Sequence, residues 1–313
     1  MIKYLDYIVP EDRLSTQKIF EEVIQNEMLP EVFSSPEEGI AFFDDTLNLK
    51  EVAIANSFSE TEMLLTLMNR FFDQGIVSKN EIDLLILIGD DVKSGNRQKN
   101  LAHYIQHHCQ LENSDVLVVS GNHCSNIEQA IILSENLLKA GANENIIIVG
   151  VNKLQNNADR VIGNYGIHGD GAGLVYVNKD NTDGISILGK STYTNGILHK
   201  ANMNENNFFL LCKNYITCIS KVMKSYEIQP TDITKIIIQN ANYMLINQCM
   251  NDFNFKKEQL YLDNIGRFGH LDCIDFIINL KSVLDEKPVL NSTFISFGTG
   301  WAGSNIALYL QLK

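Results

Sequence analysis

Apolar residues in this chain fall into two alternating patterns. Asp83–Gly89 (DLLILIG), Asp115–Ser120 (DVLVVS) and Asn145–Val151 (NIIIVGV) are short, nearly continuous apolar runs, which read as buried strands. Between them, Gln98–Cys109 and Cys124–Ala140 carry helical periodicity, and the second meets Gly141 where a helix stop belongs. This β-α-β-α-β rhythm predicts a sheet covered by helices on both faces.

The rhythm returns further along. Asn206–Tyr226 reads as a helix, Lys235–Gln239 (KIIIQ) as a buried strand, and Ala241–Asn251 and His270–Leu284 as helices. Two strands around Asn291–Phe297 and Ser304–Leu310 close the chain. Gly169-Asp-Gly-Ala-Gly173 feeds one strand, and Gly298-Thr-Gly300-Trp-Ala-Gly303 feeds another about 130 residues later, so a duplicated unit is expected. The halves are expected at 1–165 and 166–313. The join, near Asn152–Ile167, has no Pro- or Ser-rich linker.

Composition narrows the class. The chain has 313 residues, enough for two domains or one large one. With 45% hydrophobic and 20% charged residues, a disordered chain is excluded. The net charge of −13 argues against nucleic acid or an anionic membrane surface as partner. No apolar run approaches a membrane span of about 20 residues, and Met1–Asp12 lacks the pattern of a signal peptide. Cys109, Cys124, Cys212, Cys218, Cys249 and Cys273 form no C-x-x-C pair, so reduced thiols and a cytoplasmic location are expected.

Two residues stand out as candidate chemistry. Cys124 follows a strand and the Gly121-Asn122-His123 turn and opens a helix, whose partly positive N-terminus favours a thiolate. It shares a stripe with Ile127, Ile131 and Leu138, so a small core residue is the competing reading. His270 follows a glycine turn at a helix start and could take a proton from a thiol, or merely bond its own turn. Asp275 sits in an apolar stripe and needs a partner. Five helical residues separate it from His270, about 140° round a helix, so direct pairing requires His270 to lie on the turn outside the helix. Asp272 reads as a first-turn acid favoured by the helix dipole.

The string Gln239-Asn240-Ala241-Asn242 ends a strand and offers either oxyanion donors or a polar turn with Asn242 as helix cap. His103 and His107, with His108 and Cys109 beside them, lack a well-spaced third zinc ligand and read as a solvated helix face. His123 adjoins Cys124, but neighbouring side chains on a turn usually diverge. Gly169–Gly173 is no phosphate loop, because it runs into a strand and lacks Lys-Ser/Thr.

Together these segments resemble the thiolase superfamily, and most closely β-ketoacyl-acyl-carrier-protein synthase III and related acyltransferases. Tyr4–Thr16 is similar to the family's first strand and turn, Gly121–Ala130 (GNHCSNIEQA) to its nucleophile segment, His168–Val177 (HGDGAGLVYV) to its G-D-G-A-G strand, and Phe297–Gly303 (FGTGWAG) to its C-terminal glycine loop. The resemblance implies an α/β, layered α-β-α-β-α fold of two duplicated halves. It puts the nucleophile at Cys124, with an oxyanion hole from the N–H groups of Cys124 and Thr299. Two departures are visible. Gln239 stands where the family has histidine in H-Q-A-N or H-N-A-N, and His270 stands where it has asparagine after glycine.

The implied activity is acyl transfer: Cys124 takes an acyl group from a coenzyme A or carrier-protein thioester and passes it to an acceptor, with His270 as base and Gln239, Asn240 and Asp275 in support. Alternatives are a decarboxylating condensing enzyme or a non-catalytic partner subunit. No metal or organic cofactor is implied, and a homodimer, or a heterodimer with a paralogue, is expected. Lys213, Lys221 and Lys224 on one predicted helix are the expected cations for an acidic carrier protein.

Overall fold

A computed structural model describes residues 1–89, 100–180, 182–197, 208–300 and 303–313, without the side chains of Phe208, Phe209, Leu245 and Cys249. Residues 98–99 and 206–207 of the expected helices, and Trp301 and Ala302 of the glycine loop, lie outside these limits.

Strand pairing displays the duplication. In the first half, Ile2–Ile8 runs antiparallel to Gly171–Asn178, which runs antiparallel to Asn145–Asn152. Leu84–Ile88 and then Asp115–Val119 follow in parallel. In the second half, Ile185–Thr194 runs antiparallel to Ser304–Leu312, which runs antiparallel to Thr293–Thr299. Lys235–Ile237 and Leu260–Tyr261 follow in parallel. The two sets of five meet at an Ile2–Ile185 pairing and form one sheet of ten strands.

The period of two along each strand sorts side chains into layers. Leu84, Ile86 and Ile88 face a central core, whereas Leu85 and Leu87 face an outer one. The central core holds the helices Asn126–Ala140 and Asp275–Asp285 and collects strand residues from both halves. Glu60–Asp73 and Leu101–His108 cover the first half outside. Phe208–Ser225 and Tyr243–Asn251 cover the second. This is the layered α-β-α-β-α arrangement of the thiolase fold. A fourth cluster, built on Ile19, Phe20, Phe43 and Val52, packs the segment after the first strand against Ala158 and Ile167.

Three expectations change. Among the described residues Asp115–Val119 pairs on one side alone, as an edge strand, and Leu117 and Val118 are exposed. Gly171–Asn178 pairs with first-half strands on both sides, so the repeat turns over between Asn178 and Ile185 rather than at 165/166. The helix expected over His270–Leu284 starts at Asp275, after a single 3-10 turn over Asp272–Ile274.

Candidate active site

Cys124 sits in a 3-10 turn, His123–Ser125, between the edge strand and the central helix Asn126–Ala140. His123 adopts a left-handed backbone, φ 47°. Asn122 closes the turn by donating its N–H to Asn126 Oδ1 at 3.1 Å and accepting from Ser125 Oγ at 2.8 Å. The loop after Thr293–Thr299 presses on this turn, since a Cβ on Gly300 would lie 2.0 Å from the Asn122 carbonyl oxygen. Glycine at 300 is therefore what lets the loop after Thr299 close on this turn.

His270 comes from the other half, outside any helix. Gly269 before it has φ 77°, and a Cβ there would strike Val52 and the Ile167 carbonyl. His270 N–H donates to Ile167 O, and Gly169 N–H donates to His270 O, each at 2.9 Å. Lying on the turn, His270 meets the condition for pairing with Asp275. His270 Nε2 is 3.2 Å from Cys124 Sγ, and His270 Nδ1 is 2.5 Å from Asp275 Oδ2. Asp275 also accepts from Asn240 N–H and Leu271 N–H at 2.8 Å each. Cys124, His270 and Asp275 thus form a continuous line, with the last two buried.

The electrostatics follow from burial. Desolvation pushes the Cys124 thiol well up, aided by the nearby Asp272 and Asp275 charges, so the helix-end thiolate expected from sequence gives way to a neutral thiol. Burial pulls the His270 imidazole down, but the charge and hydrogen bond of Asp275, with Asp272, outweigh it and hold the group above its usual range. The arrangement suits a thiol that loses its proton to His270 as it attacks.

The supporting residues divide. Gln239 Nε2 donates to Thr299 O and Gln239 Oε1 accepts from Tyr165 Oη, each at 3.0 Å, so both ends of its amide hold the protein together. Asn240 orients Asp275 through its N–H and accepts from Asn279 at 2.9 Å. Asn242 caps Tyr243–Asn251, accepting from Met244 N–H at 3.1 Å. Thr299 Oγ1 donates to Asn305 at 2.6 Å. Asp170 of the G-D-G-A-G segment forms a buried two-point ion pair with Arg160, at 2.7 and 3.0 Å. His103, His107 and His108 are exposed on Leu101–His108, with His108 stacked on Tyr104. Lys213, Lys221 and Lys224 are exposed on Phe208–Ser225, with Lys221 over the Tyr193 ring.

A cavity of about 50 Å³ opens over Cys124 and His270. Ile162, Tyr165 and Leu211 give it an apolar wall, while Cys124, His270, Thr299, Asp272 and His168 supply polar atoms. His123, Asp272 and His168 are the polar lining residues that sequence reasoning left out of the site, and His123 shares the cavity with Cys124 rather than diverging from it. Asp272 lies on a left-handed turn, φ 56°, rather than in a helical turn. His168 had a signal, its place at the head of the glycine strand, but nothing in the chain pointed it at His270. A wider cleft of about 730 Å³, lined by Arg13, Lys257 and Arg267 against Glu51 and Asp263, holds none of these groups.

No family model matches the sequence. Individual proteins do. The β-ketoacyl-acyl-carrier-protein synthase III of Aquifex aeolicus is 23% identical over 258 residues, spanning 79% of this chain and 82% of that protein. The same-named protein of Clostridium perfringens strain 13 is 23% identical over 321 residues, spanning 91% and 95%. Among solved structures, the Aquifex aeolicus synthase III superposes with a TM-score of 0.79 at 21% identity, over 99% of both chains. ChlB3, an acyltransferase, does so with 0.81 at 16%, over 99% and 97%. Xanthomonas campestris OleA with lauric acid and lauroyl-CoA does so with 0.81 at 11%, over 98% and 97%. The chain has the thiolase-like fold of these proteins. Within that class it is similar to the β-ketoacyl-acyl-carrier-protein synthases III.

Proposed function

We propose that this protein is an enzyme of thiolase-like acyl transfer, and specifically a cysteine acyltransferase that does not depend on decarboxylation. The observation that carries it is the Cys124–His270–Asp275 line, with 3.2 and 2.5 Å contacts, opening on a cavity. A thioester enters with its carbonyl over Cys124. His270 Nε2 takes the Sγ proton as sulfur bonds to the carbonyl carbon, and Asp275 stabilises the imidazolium. The N–H groups of Cys124 and Thr299 hold the oxyanion. On collapse the C–S bond to the donor breaks, and His270 returns the proton to the departing thiol. An acceptor X–H then repeats the sequence, and Cys124 leaves as thiol.

Coenzyme A and an acyl carrier protein both supply such thioesters. Gln239, the residue standing in for the family histidine, has both amide ends engaged by protein. That speaks for simple transfer over enolate chemistry. The exposed apolar edge Asp115–Val119 supports a dimer, with a second copy or a paralogue covering it. The test is intact mass after incubation with acetyl-, lauroyl- and malonyl-CoA. An acetyl adduct on Cys124 is expected, without release of carbon dioxide from malonyl-CoA. Absence of an adduct from every donor would favour the partner-subunit reading, and carbon dioxide release would favour the condensing one.

A further inference from the structure

Asp272 is a second carboxylate at the site, and the reaction above gives it no task. It begins the 3-10 turn Asp272–Ile274, which packs against the turn that carries Cys124. Its own backbone is left-handed, φ 56°, and its carbonyl accepts the N–H of Asp275. Its neighbours Leu271 and Cys273 are buried in the central core, so the residue is anchored on both flanks. Left-handed backbone is uncommon outside glycine, and aspartate and asparagine are among the residues that tolerate it best. From this fixed backbone the half-buried Asp272 side chain lines the cavity together with Cys124 and His270.

Both reacting groups feel its charge. Burial raises the Cys124 thiol most, and the Asp272 charge and its hydrogen bond to the thiol come next. On His270, burial pulls the imidazole down, Asp275 holds it up, and Asp272 adds to Asp275. For the chemistry alone such a carboxylate is a liability, since a sulfur anion and an oxyanion both develop beside it. The cavity offers little to offset it. Among the described residues no lysine or arginine lines the cavity. The His270 imidazole already serves Asp275. Arg160, whose charge reaches His168, is bound at two points to Asp170.

We propose that Asp272 is a charge filter on the acyl donor, which turns away acyl groups that carry a carboxylate and admits uncharged ones. The inference rests on the acyl-transfer reading above and adds to it the class of acyl group. An acyl group on Cys124 extends from the very sulfur that Asp272 reaches, so a carboxylate a few carbons along the chain is held close to a like charge. At the effective dielectric of about 20 that suits protein sites, two like charges about 6 Å apart disfavour a bound state or a barrier by roughly a hundredfold. An uncharged chain of the same shape escapes that penalty and meets the apolar wall of Ile162, Tyr165 and Leu211. Selectivity of this kind comes from rejecting the wrong substrate, at some cost in rate with the right one.

The test is a competition between succinyl-CoA and 4-methylpentanoyl-CoA, supplied together in equal amounts at about pH 8, where an unperturbed imidazole is neutral. The two acyl groups match in shape, because the carboxylate oxygens of one stand where the terminal methyl groups of the other stand. Intact mass early in the reaction reads the ratio of the two adducts on Cys124. Wild type is expected to favour the uncharged group by about a hundredfold. Asp272→Asn keeps the side-chain shape and suits the left-handed turn, and Asp272→Gly suits it without a side chain. Each is expected to lower the ratio about tenfold or more, whatever happens to the absolute rate. A ratio within about threefold of wild type in both variants would make Asp272 structural and overturn the inference. Equal loading of the two groups by wild type would also overturn it. A wild-type protein that takes no adduct from these donors or from acetyl-CoA fails earlier, and removes the acyl-transfer reading along with this one.

Discussion

The two halves place the same turn at the site and use it differently. In the first, His123 is left-handed, Cys124 follows, and Asn126 begins a central helix while accepting the N–H of Asn122 at 3.1 Å. In the second, Asp272 is left-handed, Cys273 follows, and Asp275 begins the companion helix while accepting the N–H of Leu271 at 2.8 Å. Both cysteines precede a helix by the same spacing. Yet Cys124 faces the cavity, whereas Cys273 is 2% exposed in the central core. A helix N-terminus therefore does not make a nucleophile here. In the proposed reaction what stands across from the sulfur does, and at Cys124 that is His270.

The largest effect expected separates the two cysteines. Cys124→Ala abolishes the acyl adduct, a loss of about a thousandfold or more in loading rate, whereas Cys273→Ala leaves loading within about threefold. Intact mass with acetyl-CoA reads both. An adduct on Cys273, or one persisting in Cys124→Ala, would erase the distinction between the turns.

Asp275→Asn turns the second helix start into a copy of the first, which has Asn126 in that place. The amide oxygen can still close the turn on Leu271, but the charge beside His270 is gone. Loading is expected to fall about a hundredfold to ten-thousandfold, as when an orienting carboxylate is neutralised. Loading requires the neutral imidazole, so the wild-type rate rises with pH through an inflection above the ordinary histidine value of 6.5. Without Asp275 that inflection moves down. A variant with lower activity but an unmoved inflection would show that Asp275 acts by shape alone.

The outer edges of the halves differ as well. The second ends on the two-residue strand Leu260–Tyr261, which is buried, while the first ends on five residues with Leu117 42% exposed. An unpaired apolar edge is a template for another chain. Sedimentation is expected to find a dimer, and Leu117→Glu to weaken it about tenfold or more, through loss of apolar burial and like-charge repulsion across a twofold. A wild-type monomer, or an unaffected dimer, would move the interface elsewhere.

These contrasts show what the chain alone could disclose. The alternation of apolar runs and the paired glycine segments are local, and they sufficed for the layered duplicated fold. The placement of Cys124 and His270 on turns before helices was legible because such turns are local too. Asp275 was ambiguous for want of a helix boundary: a start at 275 instead of 270 changes a separation of about 140° into a contact. The Asp115–Val119 run looked buried because an apolar run does not say whether its cover is its own chain. Gln239 looked like a donor to substrate because Tyr165 and Thr299, which hold it, come from distant segments. His168 was hidden for the same reason, since its stacking on His270 depends on two segments far apart in sequence.

One position breaks the symmetry inside the core. Four residues after each cysteine the first half has Glu128 and the second Ile277, both buried. Glu128 points at Gly298, where a Cβ would lie 2.4 Å from Oε2, so the glycine makes room for the carboxyl. Oε2 has no hydrogen-bond partner among the described residues, and burial, aided by Asp275, pushes the acid up to about 8 despite its own backbone bond. Between about 4.5 and 8 the unfolded chain releases this proton and the folded one keeps it. The unfolded state thus binds fewer protons there, so the contribution falls as pH rises and is fully lost above about 8. Glu128→Gln removes that dependence. Its stability should match wild type near pH 4.5 and exceed it at pH 9. The advantage is at most about 5 kcal/mol, at about 1.36 kcal/mol for each pH unit between the unfolded and folded values. Denaturant midpoints at the two pH values measure the difference. An advantage independent of pH would show that packing, not ionisation, distinguishes Glu128 from Ile277.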